Sequence, residues 1–215
     1  MQILGQGVNM DAGGSRSKGT ATGHKPLTSP EEVEMLRLQV QNLIRENQTL
    51  KIAVAELERI VDRDTLTPLY NRRYFMHALI KRKARLQRHK QPCALLYIDV
   101  DGLKAINDAH GHAAGDFALL RLAELLRANI RASDIAARIG GDEFALLLDQ
   151  LDEEAALEKG QRLNRVIADT HIEFSGRRFG LSASIGCIMI TPEENEDQLL
   201  ARADQEMYRV KQSRT

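Results

Sequence analysis

The chain has 215 residues, 43% of them hydrophobic, which suits one ordinary domain with a real core plus an extension. Its 30 basic and 30 acidic residues cancel, so there is no broad positive field for nucleic acid or an anionic membrane surface, and any anionic ligand needs a local site. No apolar run reaches the length of a membrane span, and Met1-Gln-Ile-Leu-Gly-Gln-Gly7 lacks the charged-then-apolar order of a secretory signal, so the cytoplasm is the expected address. Cys93 and Cys187 lie in apolar stretches and read as small core residues, not as a staple or metal site.

Residues 1–29 are rich in Gly, Ser and Thr without a periodic apolar pattern, and are expected to form a disordered tail. Ser29-Pro30-Glu31-Glu32 then has the makings of a helix start: a capping hydroxyl, a proline in the first turn, and acids facing the positive end of the helix dipole. Over residues 30–63, Leu36, Leu43, Leu50 and Leu57 recur at a seven-residue interval, and Val33, Val40, Asn47, Val54 and Val61 recur in the companion register. Leucine at d, valine at a and a single asparagine at a favour a parallel two-stranded coiled coil, hence a homodimer. An amphipathic helix packed on its own domain would show a wider apolar face. A zipper-type DNA binder would need a basic helix ahead of the heptads, and Gly23-His-Lys-Pro-Leu-Thr-Ser-Pro30 is not one.

Residues 64–215 read as the globular domain. Helices are expected at Tyr70 to about Lys90, Gly115 to about Ile130, Glu153 to Asp169 and Asn195 to Lys211. Strands are expected at Cys93 to Asp99, Ile135 to Ile139, Glu143 to Leu148 and Leu181 to Ile190. That order predicts an α/β or α+β fold with one central sheet flanked by helices.

The Gly140-Gly141 pair between two apolar runs predicts a two-residue primed hairpin turn with positive φ at both glycines. By turn chemistry alone this is only a hairpin. A second acidic site adds to it: the apolar run Ala94–Ile98 leads straight into Asp99-Val100-Asp101-Gly102, with two carboxylates on one face unless the strand ends between them. If Asp142 lies beside Asp99 on a neighbouring strand, two carboxylates and a backbone carbonyl form the hard oxygen set that Mg²⁺ prefers when it also binds a triphosphate. Gly102 would open the next element with free N–H groups, a place for phosphate oxygens at a helix start.

The series Asp64-Thr-Leu-Thr67, Tyr70-Asn-Arg-Arg73, Asp99-Val-Asp101, Lys104-Ala-Ile-Asn-Asp108, Gly111-His-Ala-Ala-Gly-Asp116, Arg138-Ile-Gly-Gly-Asp-Glu-Phe144, Ser184-Ile-Gly186 and Ala203-Asp204 through Tyr208 to Lys211 resembles the GGDEF family of diguanylate cyclases. The resemblance implies a central, mostly antiparallel sheet of the nucleotidyl-cyclase or palm type. It also implies condensation of two GTP molecules into cyclic di-GMP with release of two pyrophosphates, by a homodimer whose two half-sites face each other. By the same resemblance Asp99, Asp142 and the Val100 carbonyl would hold Mg²⁺ or Mn²⁺, with Glu143 beside them at the catalytic edge. Asn107 and Asp116 would read guanine, the backbone of Gly102, Leu103 and Lys104 would cradle the outer phosphates, Lys211 would neutralise them, and Gly140 and Gly141 would admit the α-phosphate and ribose. Arg131-Ala-Ser-Asp134 stands where the family carries an inhibitory product site, so Arg131 and Asp134 are expected to bind cyclic di-GMP.

Three positions depart from the family pattern: Pro68 replaces a glycine, Leu103 a common phenylalanine, and Arg214 the glycine before a terminal arginine. None removes a metal ligand or guanine reader. The rival expectation is a catalytically inactive module that senses GTP or cyclic di-GMP, which would normally have lost acids from the hairpin.

Overall fold

The computed structural model describes residues 29–213. Most of the expected tail, and Arg214, lie outside the described residues. The chain divides into two units, one ending at Ile52 and the other beginning at Ala53. Helix α1 runs over Pro30–Val61. It starts as the sequence predicts: the Ser29 amide donates to Glu32 Oε2 and the Glu32 amide to Ser29 Oγ, a reciprocal cap. Its a and d residues lie open in the single chain, with Leu43 62% and Leu50 57% exposed.

In the globular unit the order is β1 (Tyr70–Asn71), α2 (Arg72–His89), β2 (Cys93–Val100), α3 (Leu103–His110), α4 (His112–Ala128), β3 (Ile135–Arg138) and β4 (Glu143–Asp149). Then follow α5 (Glu153–Ala168), β5 (His171–Phe174), β6 (Arg177–Gly180), β7 (Ala183–Met189) and α6 (Glu196–Gln212). The main sheet has the order β1-β3-β4-β2-β7, antiparallel throughout except for the parallel β1–β3 pair. The expected sheet flanked by helices is therefore present.

The period-two alternation of the central strands divides the core. Leu96, Ile98, Phe144, Leu146 and Leu148 face α4 and α5, where they meet Leu122, Leu126, Leu163 and Ile167. Leu95, Tyr97, Ala145 and Leu147 face α2 and α6, where they meet Phe75, Leu79, Leu199 and Met207. Caps fix where the helices begin. Asn71 accepts from the Tyr74 amide, Asp152 from the Ala155 amide, and Asn195 and Gln198 form a reciprocal capping box.

Four expectations are revised. Tyr70 and Asn71 pair with β3, so α2 starts two residues later than its apolar periodicity implies. The helix expected from Gly115 begins at His112, behind Gly111 at φ 86. The β5–β6 hairpin had not been anticipated. Finally, neither Gly140 nor Gly141 has positive φ, and the primed two-residue turn is found instead at Ser175-Gly176, with φ 51 and 74, between the paired Phe174 and Arg177. At the signature hairpin the last paired residues are Arg138 and Phe144, which leaves a wider loop that needs no mirror-image turn.

A ring of polar contacts anchored on the buried Arg82 closes the far end of the sheet from the acids. Arg82 on α2 pairs with Asp149, their side chains 9% and 12% exposed, and donates to the Ser133 carbonyl at 2.5 Å. Asp134 Oδ1 accepts from the Asp149 amide at 3.1 Å. Removing one partner strands the other charge in a low-dielectric interior, so Arg82→Met should cost about 3–5 kcal/mol of stability. Urea unfolding followed by circular dichroism checks this, and an unchanged midpoint would contradict it.

Candidate active site

The pairing of β2 with its neighbours decides which acids meet. Asp99 lies opposite Glu143 on β4 and opposite Ser184 on β7. One residue on, the Val100 amide donates to the Asp142 carbonyl at 3.1 Å. Asp142 thus sits level with Val100, one step beyond the expected place beside Asp99. Tyr97, Asp99 and Glu143 share the sheet face covered by α2 and α6. From the last turns of α6, Lys211 reaches Asp99 Oδ1 in an ion pair and approaches Asp101 Oδ1 at 3.8 Å. Ser184 Oγ donates to Asp101 Oδ1 at 2.9 Å. Asp99 and Asp101 therefore both turn to one ammonium, although the strand ends at Val100.

The electrostatics are those of crowded carboxylates around one cation. Burial pushes the Asp99 carboxyl above its usual range, the charges of Asp142 and Asp101 push the same way, and Lys211 opposes them. The hydrogen bond to Asp99 raises the Lys211 ammonium, assisted by the charges of Asp99, Asp101 and Asp142. Among the described residues no three His, Cys, Asp or Glu side chains converge as a metal cage. The side chains gathered here offer hard oxygens with excess negative charge, the chemistry that suits a hard divalent cation.

Glu143 is engaged separately. Its Oε1 accepts from the Tyr97 hydroxyl at 2.9 Å, and its Oε2 lies so close to Gly140 that a Cβ there would approach it to 2.0 Å. A side chain at position 140 would therefore displace the Glu143 carboxylate, which gives glycine a reason here that does not depend on positive φ. A Cβ on Gly141 would meet open space. The loop is pinned by Arg138, whose Nε and a terminal nitrogen donate to the Gly141 carbonyl at 3.1 and 2.7 Å, while its other terminal nitrogen meets Asp64 at 3.3 Å. Burial alone would raise Asp64, but the Thr67 hydroxyl and amide and the Arg138 charge outweigh it and hold the carboxyl below its usual range. Arg72 adds a long contact, 3.5 Å, to the Ile139 carbonyl.

Across the same end of the sheet, Gly102 (φ 70) opens α3, and the Leu103 side chain packs on the core, leaving its N–H in the first turn with those of Lys104 and Ala105. Asn107 follows a turn later. Its Oδ1 is buried without a hydrogen-bond partner and lies 1.9 Å from where a Cβ on Gly115 would stand. Gly115 thus makes room for the amide, and Asp116, the next residue on α4, is exposed.

Arg131 and Asp134 form a turn in which the Arg131 amide donates to Asp134 Oδ2 at 2.9 Å. Lys159 and Arg162 of α5 carry charge in the same neighbourhood: burial, then the Arg162 charge, lower the Lys159 ammonium, Asp134 opposes, and Arg131 lowers it further. Sequence reasoning missed these two, as it missed Tyr97 and the bridging role of Arg138. For Lys159 and Arg162 the available signal was their i, i+3 spacing on a helix. For Tyr97 it was a polar aromatic inside an otherwise hydrocarbon strand.

Comparison with known proteins agrees with this architecture. Residues 61–215 match the family described as "Diguanylate cyclase, GGDEF domain". The diguanylate cyclase DgcS of Shewanella oneidensis is 36% identical over 150 residues, which is 70% of this chain and 49% of that protein, so the chain spans about half of its relative's length. The diguanylate cyclase SiaD of Pseudomonas aeruginosa, solved in complex with its activator SiaC, superposes with a TM-score of 0.74 at 30% identity, covering 85% of this chain and 70% of that one. A microbial GGDEF domain solved for its interaction with cyclic di-GMP gives 0.64 at 33% identity over 73% of this chain and 94% of its own. With the signature hairpin, the acids beside Lys211 and the buried Asn107 amide all on one domain, the chain belongs to the GGDEF family of diguanylate cyclase domains.

Proposed function

We propose that the protein is a diguanylate cyclase that condenses two GTP molecules into cyclic di-GMP and two pyrophosphates, acting as a homodimer in the cytoplasm. The observation that carries this is the ion pair of Lys211 with Asp99, its approach to Asp101 at 3.8 Å, and the backbone pairing that sets Asp142 level with Val100, at the sheet end where α3 begins. Asp99, Asp142, Glu143 and the Val100 carbonyl would hold Mg²⁺ or Mn²⁺, with Glu143 at the catalytic edge. When bound, the metal would lower the cost of the attacking 3′-alkoxide and stabilise the leaving pyrophosphate oxygens. The first-turn N–H groups of Gly102, Leu103 and Lys104 receive the outer phosphates. Lys211 exchanges part of its pairing with Asp99 for those phosphates, which keeps the triphosphate aligned. Asn107 and Asp116 read the guanine edge, an amide and a carboxylate together satisfying its N–H donors and its acceptor positions.

Each domain supplies one GTP, so two domains must face each other. The open a and d seam of α1, with Asn47 fixing register, supports a parallel coiled coil as the device that brings them together. Free Cys93 and Cys187, whose thiols burial pushes up to about 12 and about 11, are compatible with a reducing compartment and serve packing. No described helix is long and apolar enough to cross a membrane. Arg131 and Asp134, with Lys159 and Arg162 beside them, form the cyclic di-GMP site through which product inhibits. The relative solved for its interaction with cyclic di-GMP supports this reading.

Incubated with GTP and Mg²⁺ above its dimerisation concentration, the protein should release pyrophosphate and cyclic di-GMP, and Asp142→Asn should lower turnover by roughly a hundredfold or more. A wild type that binds GTP or cyclic di-GMP but makes no pyrophosphate would be the sensor module instead. Leu43→Asp with Leu50→Asp should give a monomer in analytical ultracentrifugation and turnover that falls steeply on dilution; a variant as active and as dimeric as wild type would remove the coil from the account. Calorimetry should show cyclic di-GMP binding weakened about tenfold or more by Arg131→Ala, through loss of a charge-assisted contact, while uninhibited turnover persists. Binding that Arg131→Ala leaves unchanged would move the product site elsewhere.

A further inference from the structure

Tyr97 stands two residues before Asp99 on β2, and its neighbours on that face, Leu95, Ala145 and Leu147, are hydrocarbon. The residue is 7% exposed, and a phenylalanine would fill the same space. The hydroxyl is therefore the feature that packing leaves unexplained. It donates to Glu143 Oε1 at 2.9 Å, while Glu143 Oε2 rests against Gly140, where a Cβ would intrude to 2.0 Å. The carboxylate is thus gripped at both oxygens, one by a donor rooted in the core and one by a backbone wall. Arg72 on α2 and Asp204 on α6 line a cavity of about 220 Å³ beside the same tyrosine, so the grip is made on the covered side of the sheet.

We propose that Tyr97 is a positioning residue that holds Glu143 in its working orientation at the catalytic edge. The assignment rests on the role given to Glu143 above. A glutamate has three rotatable side-chain bonds, and one fixed charge-assisted hydrogen bond removes most of that freedom before substrate arrives. Without the hydroxyl the carboxylate spends most of its time in unproductive rotamers, which lowers turnover and leaves guanine and phosphate binding intact.

The test is Tyr97→Phe, which keeps the ring. The melting temperature should stay within a few degrees, kcat should fall about tenfold, and KM for GTP should change less than about twofold. Mn²⁺ affinity, titrated calorimetrically with a non-hydrolysable GTP analogue present, should weaken about fivefold. In a Glu143→Ala background the same change should have no further effect on either quantity, because the hydroxyl acts through that carboxylate. Wild-type kcat and Mn²⁺ affinity in Tyr97→Phe would overturn the proposal, as would losses of equal size in the Glu143→Ala background. A wild type that makes no pyrophosphate sinks the cyclase reading, and the Mn²⁺ titration then still decides on Tyr97 by the same two comparisons.

Discussion

Like charges brought together at the end of β2 are the constraint on which the site depends. Asp99, Asp101 and Asp142 repel one another, and a fold that assembles them must supply both a rigid frame and a counter-charge. The frame is the pairing of β2 with β4 and β7, three central strands whose alternate residues are sealed into separate hydrophobic layers. A slip of one residue would exchange the layers and bury the acids on the wrong face, so the hydrophobic core itself enforces the carboxylate geometry. The counter-charge is Lys211, brought by α6 once its own buried face of Leu199, Leu200, Ala203 and Met207 has packed on the sheet.

The same frame divides labour between the two sides of the sheet. Asp99, Glu143 and Lys211 belong to the side of α2 and α6, whereas Asn107 and Gly115 sit on α3 and α4, which pack on the other layer. A nucleotide held between these groups would span the sheet end, its base on one layer and its phosphates near the other. The polar ring of Arg82, Asp149, Ser133 and Asp134 ties α2 to the turn carrying Arg131 at the opposite end of the strands.

Much of this was readable from residue order. The central strands and long helices declared themselves by periodicity, and the acids by their spacing, because burial on a two-sided sheet leaves a strong apolar signature. What escaped was short or cooperative. The strand of Tyr70 and Asn71 is too brief for any period, and its residues look like the first turn of the helix they precede. The four-residue strands His171–Phe174 and Arg177–Gly180 are mostly exposed, so their alternation carries little apolar contrast. Gly140-Gly141 looked like a primed turn because both residues lack a side chain, yet the loop uses Gly140 to admit a carboxylate from three residues on. That contact, and the Tyr97 hydroxyl on its other side, exist only once two strands have paired.

The Asn107 carbonyl oxygen gives the site a bias of its own. It is buried and meets no hydrogen-bond donor among the described residues, so part of the cost of burying it was met during folding. An incoming purine that offers an N–H at that point recovers the interaction in full, whereas one that presents a lone pair there meets repulsion with no solvent to soften it. Discrimination between guanine and adenine would then be set by a buried oxygen whose place Gly115, by having no side chain, keeps open.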